Sequence, residues 1–397
     1  MAIKKHTSEA VELHERLNGK IEITNRLPIQ SEEDLSLVYT PGVADVCREI
    51  EENPGKVNTL TVRGSMIGVV TDGSAVLGLG DIGPKAAMPV MEGKCMLFKE
   101  FGGLNAFPIC LDEKDPEKLI NIIKSLAPTF AGINLEDISA PRCFEIEARL
   151  KEELDIPVFH DDQHGTAIVV LAGLINALKY TGRKRDKAKV VINGAGAAGI
   201  SIAKLLLSAG FTNITLVSLE GIVAKGEPWL NSQQEEMASW TNLENKTGKL
   251  DNVIEKADVF IGVSGPNALR PLQVRLMKER AIVFALANPV PEIYPNDALG
   301  AGAEIVATGR SDFPNQVNNL LAFPGIFLGA LNAGASDITE EMKITAAEAI
   351  ARLIPEDQLK PSYIIPGPLN KKVARIVAEA VETVAQKQRG VKQHGST

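Results

Sequence analysis

The chain has 397 residues, 45% of them hydrophobic and 23% charged, with a formal net charge of −8. That length implies two domains, each able to bury its own core, and the ordinary globular composition excludes a disordered chain. The acidic balance, relieved only by one basic cluster at 182–189 (GRKRDKAK), excludes a dedicated nucleic-acid binder, and the longest strongly apolar stretch, Thr166 to Leu178, is too short to cross a bilayer.

The opening MAIKKHTSEAVELHERL lacks the apolar run of a secretory signal. Cys47, Cys95, Cys110 and Cys143 lie far apart with no C-x-x-C pair, and are expected to be small buried residues of a cytoplasmic protein. Apolar runs at 65–72 (SMIGVVTD) and 105–112 (NAFPICLD) predict strands. The segment between them, 73–103, is too glycine-rich to be regular throughout and is expected to line a site. Helices are predicted at 115–127, where Leu119, Ile122, Ile123 and Leu126 recur at helical spacing, and at 140–154. A short apolar run, AGINL, ends in Glu136 and Asp137.

Residues 156–167 read IPVFHDDQHGTA. His160 and His164 have the spacing by which a helix aims two imidazoles at zinc, but an apolar strand-like run precedes the motif and a helical pattern follows it. The strand–turn break denies the two rings a common face, and the position that carries a glutamate in zinc peptidases is Asp161. The two acidic pairs, Glu136–Asp137 and Asp161–Asp162, therefore sit at strand ends. Adjacent carboxylates repel unless a cation or protons offset them, and oxygen ligands suit a hard ion such as Mg²⁺ or Mn²⁺. Taken alone, Glu136–Asp137 would read as acidic decoration of the following helix; two such pairs in one chain favour a metal.

The second half alternates fully apolar strands with helices, the pattern of a parallel sheet covered on both faces, so the fold class is α/β. Strands are predicted at 188–196, 213–221, 257–265, 281–289 and 303–309, and helices at 197–210, 339–354 and 370–388. Gly194-Ala195-Gly196-Ala197-Ala198-Gly199 fits G-x-G-x-x-G between a strand and a helix, the turn that receives a dinucleotide pyrophosphate. Where the next strand should end in an acidic residue that grips the adenosine ribose stands Ser218, with Glu220 two positions on and on the same side if the strand continues. No arginine follows to take a 2′-phosphate, and Lys225 is the nearest downstream cation. NAD is expected, with NADP left open.

The motifs YTPGVA (39–44), TDGSAVLGLGDIGPKAAMPVMEGK (71–94), NLEDI (134–138), FHDDQHGTA (159–167), ALANP (285–289) and NQVNNLLAFPG (315–325) together resemble the malic enzyme family in its compact prokaryotic form. The resemblance runs from about residue 20 to about residue 390. It implies an N-terminal malic-type catalytic domain, 1–160, and a Rossmann-type dinucleotide-binding domain with C-terminal helices, 161–397. It further implies oxidative decarboxylation of L-malate to pyruvate and CO₂, dependent on Mn²⁺ or Mg²⁺ and on NAD or NADP.

By position, the resemblance makes Glu136, Asp137 and Asp162 metal ligands and Asp161 their partner aspartate. Lys94 becomes the general base and Tyr39 the general acid. Asn288, Asn318 and Asn319 contact substrate, with Asn288 also at the nicotinamide. A base of this kind must be neutral, which burial and a neighbouring cation promote. Larger relatives carry an arginine shortly after TDG; here Ser74 and Ala75 stand there, so anchoring of malate leans on the metal, the asparagines and Lys94. A homodimer is expected, with Tyr39 able to act in the neighbouring subunit, and neither nucleic acid nor membrane is an expected partner. Two rival readings remain: a malolactic activity, in which pyruvate stays bound and is reduced to lactate, and a non-catalytic dinucleotide sensor.

Overall fold

Among the described residues, 2–76 and 78–394 of a computed structural model, nine strands form two wholly parallel sheets. The first sheet has β1 (Met66–Thr71), β2 (Asn105–Cys110), β3 (Gly132–Leu135) and β4 (Val158–His160) in the order β2-β1-β3-β4. The second has β5 (Lys189–Asn193), β6 (Asn213–Val217), β7 (Val259–Gly262), β8 (Ala281–Ala285) and β9 (Ala303–Thr308) in the order β6-β5-β7-β8-β9. In each sheet the first strand has its neighbours on opposite sides. The chain therefore leaves that strand in opposite directions, opening a crevice at the strands' carboxyl ends where ligands of such sheets bind.

The helices that shape the site are, in chain order, α1 (Glu32–Val38), α2 (Val43–Glu52), α3 (Gly83–Gly102), α4 (Pro116–Leu126), α5 (Arg142–Glu153), α6 (Asp161–Thr181), α7 (Ala197–Ser208), α8 (Phe323–Asn332), α9 (Glu340–Arg352) and α10 (Lys372–His394). Every residue of α6 from Ala167 to Leu178 is buried, because this helix packs against α7 on one side and α9 on another. Its burial explains the apolar run that is too short for a membrane. The same hydrophobic core takes in α3, α8 and α10.

The structure corrects several expectations. Much of the glycine-rich 73–103 segment is the regular helix α3, opened by Pro84 and closed by Gly103 at φ +67°. Its buried residues Ala87, Met91, Lys94, Cys95, Phe98 and Gly102 follow the helical period, a pattern the glycine count obscured. Only the part before Gly83 is a loop. β6 stops at Val217, so Glu220 does not reach Ser218's side by strand alternation; a turn brings it there, with Ser218 N–H donating to the Gly221 carbonyl at 2.7 Å. Cys95 and Cys143 are buried as expected, whereas Cys47 is exposed and Cys110 half-buried, all four as free thiols.

Candidate active site

Two chain segments deliver carboxylates to one place. β3 ends at Leu135 and is followed at once by Glu136 and Asp137; β4 ends at His160 and α6 opens with Asp161 and Asp162. α5 begins only at Arg142, so Glu136 and Asp137 are not the acidic first turn of that helix. Carboxylate oxygens of Glu136, Asp137 and Asp162 all lie within 4.8 Å of one another. Glu136 is 4% exposed, Asp137 3% and Asp161 0%, so water does little to screen them.

Lys94 enters from the inward face of α3. Its ammonium donates to Asp161 Oδ2 at 2.6 Å, lies 3.0 Å from Glu136 Oε1 and sits 4.3 Å from the centre of the Phe323 ring. Asn319 also donates to Asp161 Oδ2, and Asn134 donates to Glu136 Oε2 at 2.9 Å. Burial opposes the charge on Lys94, but Asp161 and Glu136 outweigh it and hold the ammonium well above the usual lysine range. Burial without a neighbouring cation does not leave this lysine neutral, because its partners are two anions in the same dry site. The carboxylates respond the other way. Burial and then Asp162 push Asp137 up to about 7, and burial followed by the other three aspartates pushes Glu136 up against the pull of Lys94.

One positive charge among four carboxylates leaves an excess of negative charge that is buried and under-bonded. Asp137 Oδ2 and Asp161 Oδ1 have no hydrogen-bond partner, and such a group costs about 1–3 kcal/mol when buried unpaired. Asp137 holds its backbone at φ +54°, its N–H donating to Asp162 Oδ2 at 2.8 Å and its carbonyl accepting from Ala75 at 3.0 Å. A non-glycine residue in that region costs energy that the surroundings must offset, as functional sites often do. These features suit a hard divalent cation held by Glu136, Asp137 and Asp162. The histidines do not compete for it. His160 is the cap outside the helix, its Nδ1 3.7 Å from Asp162 Oδ2 but outside the carboxylate cluster, and His164 is committed to Glu147 and Lys343 at 2.9 and 3.0 Å.

The second crevice adjoins the first. Gly194 stands at φ +123°, and a Cβ there would lie 2.5 Å from the Val263 carbonyl oxygen; one on Gly199 would lie 1.7 Å from that of Gly194. A Cβ on Gly196 would meet nothing within 4 Å. The first and third glycines thus serve the turn and the packing of α7, while the second keeps a surface open. Gly196 caps α7 without a side-chain hydrogen bond and lies on the wall of a cavity of about 900 Å³. Gly194, Ala195, Gly196, Ser218 and Glu220 line that cavity with Trp229, Lys249 and Ser264; Ala140 and Pro141, just past the acidic pair, close its other end. Ala197, Ala198 and Gly199 form the first turn of α7.

The chain matches the family described as malic enzyme, N-terminal domain, over residues 18–151, and malic enzyme, NAD binding domain, over residues 163–386. It belongs to the malic enzyme family. An NAD-dependent malic enzyme of Geobacillus stearothermophilus is 57% identical over 369 residues, 93% of this chain and 77% of the relative. A bifunctional malic/malolactic enzyme of Bacillus subtilis is 55% identical over 378 residues, 95% of this chain and 92% of the relative. The crystal structure of an NAD-dependent malic enzyme from Thermotoga maritima superposes with a TM-score of 0.91 at 53% identity, covering 94% of this chain and 98% of that one.

Within this malic enzyme fold the remaining expected residues divide. Asn288 precedes a cis peptide to Pro289, and Gly78 of the loop after β1 packs so closely that a Cβ there would lie 3.1 Å from the Asn288 carbonyl oxygen. Asn318 caps the turn 319–321 by accepting from Leu320 N–H at 2.9 Å, which aims Asn319 at Asp161. Tyr39 is not brought in. It ends α1, is 67% exposed, and its hydroxyl has no hydrogen-bond partner among the described residues.

Three contacts escaped the sequence reading. Arg142 at the start of α5 pairs with fully buried Asp72, whose other oxygen accepts from Ser74 Oγ at 2.6 Å, so Ser74 serves to hold Asp72. Buried Lys343 donates to His164 Nδ1, leaving Nε2–H to donate to Glu147, whose Oε1 accepts from His160 N–H at 3.1 Å. Lys249 reaches the turn after β6. Arg142 and Asp72, Lys343 and His164, and Lys249 and Leu219 are each far apart in sequence.

Proposed function

We propose that the chain catalyses oxidative decarboxylation of L-malate to pyruvate and CO₂, with reduction of NAD or NADP and with Mn²⁺ or Mg²⁺ as activator. The observation that carries this reading is the junction of two crevices: a cluster of buried Lys94, Glu136, Asp137 and Asp161 with half-buried Asp162, beside a glycine turn that opens onto the dinucleotide-sized cavity. The division between the units is proposed at 160/161, where β4 meets α6.

Glu136, Asp137 and Asp162 would hold the divalent ion, and Gly194 to Gly199, Ser218, Glu220 and Asn288 the dinucleotide. When bound, the ion supplies Lewis-acid polarisation of the reacting oxygen and the dinucleotide a hydride acceptor. Lys94 takes the malate hydroxyl proton at Nζ. To do so it must give up its own proton, and Asp161, 2.6 Å away and steadied by Asn319, receives it. A carboxylate turned toward a cation no longer supports the ammonium, so occupancy of the triad loosens the hold of Glu136 on Lys94. Asn288, Asn318 and Asn319 orient the substrate carboxylates. Tyr39 then protonates the methylene carbon of enolpyruvate.

Tyr39 reaches that carbon from a second subunit. α1 and α2 have no buried residue in the single chain, and Ile23, Leu27, Leu35, Leu37 and Tyr39 are exposed. An apolar face of this size favours covering by a second copy. No described helix is long and apolar enough to cross a membrane, and the cysteines are free, in keeping with a cytoplasmic enzyme.

The test is malate-dependent appearance of free NADH with equal pyruvate in the presence of Mn²⁺, lost in Lys94→Ala. Lactate without free NADH would instead support the malolactic reading suggested by the Bacillus subtilis relative. No malate-dependent reduction with either dinucleotide would refute the proposal.

A further inference from the structure

The adenosine ribose of a dinucleotide on this fold is expected at the carboxyl end of β6, where a lone carboxylate binds the 2′-hydroxyl and repels a 2′-phosphate. This chain has no lone carboxylate there. Ser218 occupies the position and donates to Glu220 Oε2 at 2.6 Å. Lys249 lies over the same turn, its ammonium donating to the carbonyls of Leu219 at 2.9 Å and Glu220 at 2.6 Å. An ammonium has three N–H groups, so one remains for a ligand, and Ser218, Glu220 and Lys249 all line the cavity.

This arrangement is built. Ile222 N–H donates to the Gly248 carbonyl at 2.9 Å, and Gly221 permits it, since a Cβ there would lie 2.7 Å from that oxygen. Gly248 itself stands at φ +107°, and Asn252 accepts from Lys249 N–H at 2.9 Å. The other charges close by are spoken for: Asp251 is paired with Arg270 through both oxygens at 2.9 Å. Lys225, the nearest cation in sequence, is absent from the cavity lining.

We propose that Lys249 is the residue that admits a 2′-phosphorylated dinucleotide, balancing Glu220 so that the site accepts both NAD and NADP. A 2′-hydroxyl donates to Glu220. A 2′-phosphate takes the Ser218 hydroxyl and the free N–H of Lys249 while the exposed Glu220 side chain turns to solvent. The inference rests on the dinucleotide reading above and deepens it.

Calorimetric titration with 2′,5′-ADP and with 5′-AMP tests it without nicotinamide or turnover. The wild type should bind both. Lys249→Gln should weaken 2′,5′-ADP about tenfold, about 1.4 kcal/mol, while 5′-AMP stays within about twofold. Lys249→Arg should keep the wild-type ratio and Glu220→Gln should shift it toward 2′,5′-ADP. In turnover, Lys249→Gln should raise KM for NADP and leave kcat unchanged. An equal loss for both nucleotides would make Lys249 only a brace for the turn and overturn the assignment, as would an unchanged ratio or a wild type that binds 5′-AMP alone. A wild type that binds neither nucleotide would refute the dinucleotide reading itself.

Discussion

Gly196 offers a perturbation in which stability and binding should part company. Its backbone lies at φ −92° and ψ −159°, which alanine adopts freely, and a Cβ would meet no atom within 4 Å. Two small effects on stability oppose each other. Alanine restricts the unfolded chain, worth about 0.4–1 kcal/mol, but is a poorer N-cap than glycine by roughly 0.5–1 kcal/mol. Gly196→Ala should therefore leave the melting temperature nearly unchanged. On the proposed dinucleotide reading, the new methyl nevertheless stands where the pyrophosphate passes. Overfilling a close-packed contact costs about 1–3 kcal/mol, roughly 5- to 150-fold in Kd. Gly199→Ala is the contrast: its Cβ would lie 1.7 Å from the Gly194 carbonyl oxygen, so β5 and α7 must move apart and stability itself should fall. Thermal unfolding and calorimetric titration with NAD read the two quantities separately. NAD bound by Gly196→Ala with wild-type affinity, or a loss of stability as large as that of Gly199→Ala, would refute the reasoning.

Asp162→Asn keeps an acceptor for the Asp137 N–H but removes one charge from the crowded cluster, so the metal-free protein should melt higher while the rise in melting temperature on adding Mn²⁺ disappears; an undiminished Mn²⁺ effect would remove Asp162 from the ligand set. Mixing inactive Tyr39→Phe and Lys94→Ala subunits should restore about a quarter of wild-type activity if sites are shared across a two-fold dimer, and none if each subunit is self-sufficient. Burial alone would raise Glu147, but the His164 N–H and the Lys343 ammonium behind it hold its carboxyl at about 2 against an ordinary 4.5. A folded pKa below the unfolded one means stability that is present above pH 4.5 and lost as pH falls toward 2; the deficit of Glu147→Gln in urea unfolding should be full at neutral pH and fade across that window, and a deficit independent of pH would contradict it.

Local chemistry explains what could be read directly from the chain. The turn Gly194–Gly199 declares itself because strand, glycines and helix are contiguous and the first and third glycines meet local steric demands. The acidic pairs are conspicuous because adjacent carboxylates have few innocent uses, and α6, α9 and α10 because their apolar periods are long. The helical period of α3 was equally local, but the glycines and prolines within it argue for a loop one at a time, and only burial of the Ala87–Met91–Phe98 stripe decides for a helix.

What the tertiary structure alone decided is which charges meet. Lys94 finds Asp161 across 67 positions, Arg142 finds Asp72 across 70, and Lys343 finds His164 across 179. Nothing in the spacing of such residues predicts a partner, because parallel strands are joined by crossovers that bring distant strand ends to one edge. Protonation follows from the same meeting: a buried lysine alone would be discharged, yet two buried carboxylates beside it keep Lys94 an ammonium. The sequence by itself determined the fold class, the family and the residue types available for catalysis. The fold decided their partners and charge states, since these depend on distance and water exclusion, which chain order does not carry.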